Sequence, residues 1–132
     1  MLDQSVIRNL RPQPGESEIY GDSWSDDHMQ LVEDYALIYR LPGQYGHTEI
    51  MILSSGSTEA TWAAAYYVTK PMYAKELVDK VGLSSGALPP TYQVLIRVEF
   101  KQQVPWKISY VTHRVLDQPW KSDQPPQSGV RP

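Results

Sequence analysis

Hydroxyl side chains lie between an apolar run and an Ala-rich segment in residues 49–69, EIMILSSGSTEATWAAAYYVT. This order predicts a strand, a small-residue loop and a helix. The backbone N–H groups of such a helix N-terminus can bind a phosphate or a carboxylate. Ser55, Ser57 and Thr58 could donate further hydrogen bonds to that anion. These three residues are therefore candidate ligand-binding residues.

A structural role explains the same loop. Ser57 or Thr58 can cap the helix, and Gly56 can permit the turn. The spacing differs from G-x-x-x-x-G-K-[ST], and no Lys follows the loop to reach a phosphate. Glu59, in the first helical turn, would repel an anion. The sequence favours a capping connection at residues 54–58 over a phosphate site.

Catalysis would require a base close to these hydroxyls. His113 lies in a predicted strand and alternates with Val111 and Val115, which is typical of one packed face. His113 is a further candidate ligand-binding residue. A small hydrolase that uses Ser55 or Ser57 with His113 is the alternative function, if the fold brings them together. The loop at residues 54–58 does not match the G-x-S-x-G motif of a nucleophile elbow, so no catalytic residue is assigned and a non-catalytic protein is favoured.

Metal binding has little support. The acidic segment 22–33, DSWSDDHMQLVE, agrees only in part with a calcium-binding loop. Trp24 occupies position 3, where an oxygen ligand is expected, and Asp27 occupies position 6, where Gly is needed. No two histidines form an H-x-x-x-H pair. We predict no metal site and no cofactor.

Composition excludes several classes of protein. The 132 residues suit one domain with a modest core. The net charge of −3, without a basic stripe, argues against nucleic-acid binding. The absence of cysteine removes disulfides and thiolate chemistry.

The sequence also bears on the compartment. No apolar run approaches the roughly 20 residues that cross a bilayer. The first residues lack the basic and then apolar order of a signal peptide. We expect a cytoplasmic protein without a membrane contact in this chain. An exported or anchored parent protein is the alternative, since the chain could be a fragment of a longer one.

Hydrophobic periodicity predicts an α+β fold in the order β-β-α-α-β-β, with a four-stranded sheet and two helices on one face. The predicted strands are residues 34–42, 49–54, 92–100 and 106–116, and the predicted helices are residues 58–68 and 70–82. This α+β domain is expected to span residues 31–116. Residues 1–30 are expected to form an extended polar arm and residues 117–132 a disordered Pro-rich tail. Residues 1–18 and 118–132 are expected to contribute little to stability unless they dock on a partner.

Four stretches of this chain resemble an uncharacterised bacterial domain that occurs at the C-terminal end of longer, regulatory-type or membrane-anchored proteins. They are IRNLRPQPGE, DYALIYRLPG, IMILSSGSTEATWAAAYYVT and LPPTYQVLIRVEF, within residues 7–114. The resemblance implies no activity and no catalytic residues. It implies a sensory or interaction module, so we expect a non-catalytic ligand-binding or protein-interaction protein.

The first two predicted strands, YALIYRL and IMIL, are apolar on both faces. Such strands are usually covered on both sides, whereas two helices most simply cover one. We therefore predict a homodimer with Tyr or Trp side chains at its centre, because the chain contains nine Tyr and four Trp. The N-terminal arm could cover this face in part, but it is short and interrupted by prolines. A missing N-terminal domain or another partner protein is the alternative cover.

Overall fold

A computed structural model of the chain describes residues 6–43 and 48–116. The strands are β1 (Val6–Arg8), β2 (Ile19–Gly21), β3 (Ser23–Trp24), β4 (Leu31–Pro42), β5 (Glu49–Ser55), β6 (Tyr92–Lys101) and β7 (Val104–Val115). The helices are α1 (Thr58–Thr69) and α2 (Pro71–Val81). The predicted α+β class is confirmed, and the predicted helices and long strands agree with these bounds to within about three residues.

The main sheet is antiparallel, in the order β5-β4-β6-β7. Glu33 of β4 pairs with Ser23 of β3 on one side and with Glu99 of β6 on the other. The short strand β3 therefore pairs with the same edge of β4 as β5 does, and β6 pairs with the other edge. β5 and β6 run parallel to each other on either side of β4, so the connection that contains both helices crosses over β4.

Both helices pack against one face of this sheet. Small side chains bring α1 close to the strands, because Ala60, Ala63 and Ala64 are fully buried beside Tyr67. The hydroxyl of Tyr67 donates to Glu76 of α2 over 3.0 Å, which satisfies its buried polar atom. The remaining core residues come from β4, α2 and β6, and they are Leu31, Ala36, Ile38, Leu77, Val81, Tyr92, Val94, Ile96, Val98 and Phe100.

Helix α2 begins and ends within one residue of the predicted range, 70–82. Pro71 is its first residue, where the missing N–H has no intrahelical partner to lose. Gly82 is the C-cap, and its N–H donates to Val78 O over 2.8 Å. A Cβ on Gly82 would lie 2.4 Å from that oxygen, so the close approach requires glycine.

Strand β7 contains two register irregularities. Leu95 pairs with Thr112 and Ile96 with Tyr110, so Val111 is an extra residue that forms a β-bulge. The predicted alternation of Val111 with His113 is therefore interrupted. The bulge instead places Tyr110 and His113 on the helix-covered face, and Thr112 and Arg114 on the opposite face.

The N-terminal segment packs on this second face. Strands β1 and β2 form an antiparallel hairpin, with Ile7 opposite Tyr20. The ring of Tyr20 is buried and lies 5.1 Å from the ring of Tyr35 on β4. An extended polar arm was expected over residues 1–30, but the described part, residues 6–30, contains three strands. The expected tail, residues 117–132, lies outside the described residues, as do residues 1–5 and 44–47, which include His47.

Candidate functional site

The loop between β5 and α1 is a helix cap. Ser57 is the N-cap of α1, with an extended backbone, and its Oγ accepts the N–H of Ala60 over 3.2 Å. Glu59 lies in the first turn. Thr58 is the exposed first residue of α1. The prediction that Ser57 or Thr58 caps the helix is confirmed, with Ser57 in that role.

A buried carboxylate organises the loop serines. Asp34 is only 3% exposed, and its side chain points to the same sheet face as Ala36 and Ile38. Its Oδ2 accepts the hydroxyls of Ser57, over 2.6 Å, and Ser55, over 3.1 Å. Its Oδ1 accepts the N–H of Tyr35 over 2.8 Å.

These bonds orient each serine hydroxyl. Ser55 and Ser57 both donate to Asp34, so their oxygen lone pairs remain free to accept backbone N–H groups. Ser55 Oγ accepts the N–H of Ser57 over 3.1 Å. The carboxylate of Asp34 thus lies just in front of the N-terminus of α1, where a bound anion is favoured. The chain supplies its own anion at this position.

His113 belongs to a different part of the helix-covered face. Its Nδ1 is hydrogen-bonded to the hydroxyl of Tyr110. Burial, together with the positive charge of Arg114, lowers the pKa of His113 below its ordinary value of 6.5. Burial raises the pKa of Tyr110. Near neutral pH both rings are therefore uncharged, and the phenol can donate to the imidazole. The Nζ of Lys80 lies 5.4 Å from the centre of the Tyr110 ring.

The structure does not bring His113 to the loop serines. Ser55 lies on β5 and His113 on β7, at opposite edges of the sheet. Three strand spacings separate these edges, or roughly 14 Å. Ser55, Ser57 and Thr58 therefore lie together, and His113 lies apart. The hydrogen-bonding distance that a serine–histidine hydrolase requires is not met.

Residues 25–30, the middle of the acidic segment 22–33, form a compact turn between β3 and β4. Asp27 Oδ1 accepts the hydroxyl of Ser25 and the N–H of Met29, the latter over 3.0 Å. These bonds lower the pKa of Asp27. Ser25 N also donates to Gln30 O over 2.8 Å, which closes the turn. Among the described residues, no group of three His, Cys, Asp or Glu side chains is arranged to hold a metal ion.

A groove of about 540 Å³ lies between the β1–β2 hairpin and the second sheet face. Leu37 of β4 and Leu95 of β6 are paired in register and form its floor. Ile7 and Tyr20 of the hairpin contribute one wall, and Leu116 lines it beyond the end of β7. The volume falls within the range of small-molecule sites, and these lining side chains are mainly apolar.

Glu16 holds the hairpin loop against the sheet. Arg114 of β7 donates to both carboxylate oxygens of Glu16, one of them over 3.0 Å. Glu16 also accepts from Thr112 Oγ1, from Asn9 Nδ2 over 2.9 Å and from Gln13 N over 3.0 Å. These contacts, led by that with Arg114, hold the pKa of Glu16 far below its ordinary value of 4.5. The charge of Arg114 in the groove is therefore compensated by Glu16.

Two further arginines line the groove without such compensation. Arg8 of β1 and Arg11 of the hairpin loop are both exposed. Within residues 6–43 and 48–116, neither forms an ion pair with an acidic side chain. The groove thus combines an apolar floor with two accessible positive charges, although the chain has a net charge of −3.

Sequence reasoning did not find this groove. Its lining comes from segments more than 80 residues apart, such as Arg8 and Thr112, and no local pattern joins them. The role of Asp34 could have been predicted from the sequence, because the alternation of the strand places Asp34 on the same face as Ala36 and Ile38. A carboxylate on a core-facing position requires hydrogen-bond donors, and the serine loop supplies them.

The described helices include none that is long and apolar enough to cross a membrane. Comparisons of the chain with family models, with curated proteins and with solved structures found no match.

Proposed function

We propose that this chain is a non-catalytic binding module, and that the groove beneath the β1–β2 hairpin is its ligand site. The observation that carries the proposal is the pairing of an apolar floor, Leu37 and Leu95, with Arg8 and Arg11, which line the groove and form no ion pair within the described part of the chain. The ligand class that suits this pairing is a small amphipathic anion. Its apolar body lies on the two leucines, and its acidic group binds the arginines.

The chemistry of the groove supports binding rather than turnover. Arginine remains protonated and cannot act as a general base at neutral pH. Thr112, a hydroxyl in the groove, donates to Glu16, whose lowered pKa makes it a weak base. His113 also lines the groove, and its Nδ1 is hydrogen-bonded to the hydroxyl of Tyr110 rather than to a serine or threonine hydroxyl. Together these groups can bind and orient an anion, but they supply no activated nucleophile.

A thermal-shift titration with decanoate, decanol and acetate tests the proposal. Decanoate is expected to raise the melting temperature, because a ligand that binds only the folded state stabilises it. Decanol lacks the charge and acetate lacks the apolar body, so both are expected to shift it less. Equal shifts with decanoate and decanol would contradict the role assigned to the arginines.

Substitutions in the groove test whether decanoate binds there. The double variant Arg8→Gln and Arg11→Gln is expected to weaken decanoate binding about tenfold or more, since charge-assisted hydrogen bonds are lost. Leu37→Trp is expected to fill the groove and to abolish binding. Lys75→Gln, an exposed change on α2, is the matched control and is expected to bind like the unchanged chain. Binding that survives Leu37→Trp in a folded protein would place the ligand elsewhere.

If decanoate gives no shift, the same assay against nucleotides, sugars, amino acids and acyl compounds identifies the ligand class. A ligand from that screen whose binding is insensitive to both groove variants would overturn the assignment of the groove.

A further inference from the structure

Two edges bound the main sheet, and they differ in how well they are protected against pairing with another strand. Natural edge strands are usually protected by prolines, charged side chains or bulges. Strand β7 has Pro105, Lys107 and Arg114, and two register irregularities interrupt it. Strand β5 has seven residues and an uninterrupted register with β4.

Strand β5 lacks these protections. Its one charged residue, Glu49, is at its first position and pairs with Arg40 of β4. The apolar residues Ile50, Met51 and Ile52 follow, and they are 43%, 43% and 47% exposed. Within the described part of the chain, β5 pairs with β4 alone, so its outer row of backbone N–H and C=O groups is unpaired by any strand.

The helix layer is also apolar beside this edge. Trp62 of α1 shares a shallow pocket with Leu53 and Ser55 of β5. Its side chain is 51% exposed, and its ring lies 4.6 Å from that of Tyr66, which is also exposed. A strand edge and an aromatic pair thus border the same side of the molecule, one in each layer.

We propose that β5 pairs with β5 of a second copy of this chain, which forms an antiparallel, two-fold symmetric dimer with one sheet continuous across it. A second copy of the chain offers a matching strand edge in the sheet and matching aromatic side chains in the helix layer. A two-fold axis perpendicular to the sheet keeps the helices of both copies on one face, so Trp62 and Tyr66 of each copy approach their equivalents. An isolated peptide strand would pair with β5 but would bring no helix layer to cover the two aromatic rings.

The charges of β5 permit this self-pairing. With Ile52 at the two-fold axis, Glu49 of one copy lies opposite Ser55 of the other, and no like charges face each other. Met51 then lies opposite Leu53, so apolar side chains meet across the new pair. Antiparallel pairing also satisfies the unpaired backbone groups of both strands.

The first test is the oligomeric state. Sedimentation velocity over a dilution series is expected to show a monomer–dimer equilibrium for the full chain. Ile52→Lys places a charge in the new strand pair and is expected to raise the dimer dissociation constant about tenfold or more. Trp62→Ala is expected to weaken the dimer through the helix layer. Val115→Lys, on the 54% exposed Val115 of β7, is the matched control and is expected to leave the dimer intact.

Cross-linking gives a second test that does not depend on weakening the fold. The chain has no cysteine, so single Cys variants at Ile50, Met51 and Ile52 can form disulfides only between copies. At least one of them is expected to form a covalent dimer on mild oxidation, and Val115→Cys is expected to form none.

Three results would overturn the proposal. They are a monomer at high micromolar concentration, a dimer unaffected by Ile52→Lys in a folded protein, and a monomer that dimerises only after residues 117–132 are removed. The last result would mean that the tail covers β5. Because β5 and the groove are separate, failure of this dimer leaves the ligand assay unaffected.

Discussion

Asp34 accepts the hydroxyl hydrogen of Ser57 over 2.6 Å, and Ser57 accepts the N–H of Ala60 over 3.2 Å. A core-facing carboxylate of β4 is thereby linked through one side chain to the first turn of α1. The link fixes where the helix begins relative to the sheet. It also places a negative charge at the helix N-terminus, where it interacts favourably with the helix dipole.

Removal of the cap is expected to destabilise the protein. Ser57→Ala should cost about 1 kcal/mol of the free energy of unfolding, as for other lost N-caps. Asp34→Ala should cost more, about 2–3 kcal/mol, because it leaves buried donors without acceptors. Thr58→Ala, at the exposed next residue, should stay within about 0.5 kcal/mol. Urea denaturation measures all three, and equal effects of Ser57→Ala and Thr58→Ala would contradict the assigned cap.

The ion pair of Glu16 with Arg114 predicts a pH dependence of stability. Since the folded pKa of Glu16 lies below its ordinary value of 4.5, the unfolded chain binds the proton more readily. The stabilisation is therefore complete above about pH 4.5 and is lost as the pH falls toward the lower folded value. Glu16→Gln should remove this part of the acid sensitivity. Urea midpoints across the acid range, with exposed Glu18→Gln as control, measure the difference.

His113 predicts a second pH dependence at a higher pH. Its folded pKa lies below the ordinary value of 6.5, so protonation favours the unfolded chain. The contribution of neutral His113 to the free energy of unfolding is fully present above about pH 6.5. This contribution decreases as the pH falls below that value. The melting temperature of the unchanged chain should therefore decrease between neutral and mildly acidic pH more than that of His113→Gln. If the melting temperatures of the two proteins changed with pH by the same amount, His113 would make no contribution to the pH dependence of stability.

The small side chains of α1 predict intolerance to added volume. Ala64 is fully buried against the sheet, so Ala64→Leu should cost about 1–3 kcal/mol through overpacking. Ala65 is only half-buried, and Ala65→Leu should cost clearly less. Thermal melting of the two variants gives the comparison. A larger loss at Ala65 would mean that α1 packs through a different face.

The packed hairpin changes the expected outcome of an N-terminal truncation. The sequence predicts little contribution to stability from residues 1–18. Glu16 and Asn9 nevertheless bond to each other within that segment, and Glu16 bonds to Thr112 and Arg114. Deletion of residues 1–18 should therefore lower the urea midpoint of unfolding. An unchanged midpoint would mean that the hairpin contributes little, as the sequence alone predicts.

The long elements were predictable because their periodicity is local. Strand β6 alternates inward residues, such as Val94, Ile96 and Val98, with Gln93 and Arg97, and that pattern needs no tertiary information. Strands β1, β2 and β3 have two or three residues each and lie in polar sequence, so they are too short to show an alternation of apolar and polar residues. Their pairing depends on contacts with distant residues.

The candidate site was only partly predictable for the same reason. The cap at Ser57 follows from a local rule for helix starts, and the structure agrees with it. The distance between Ser55 and His113 depends on strand order, which the sequence left open. The groove depends on how the hairpin folds back over Leu37 and Leu95, and that placement involves the contact of Glu16 with a residue 98 positions away.

The bulge at Val111 has a consequence for how the length of β7 could vary in evolution. In-frame loss of Val111 would straighten the strand and bring the pairs Leu95–Thr112 and Ile96–Tyr110 next to each other. Tyr110 and Arg114 would then keep their present sides of the sheet, because the bulge already compensates for the additional residue. Single-residue deletions in the unbulged strand β4 would have no such compensation and would reverse the sides of the side chains beyond them. Natural length variation is therefore expected to concentrate at the bulge.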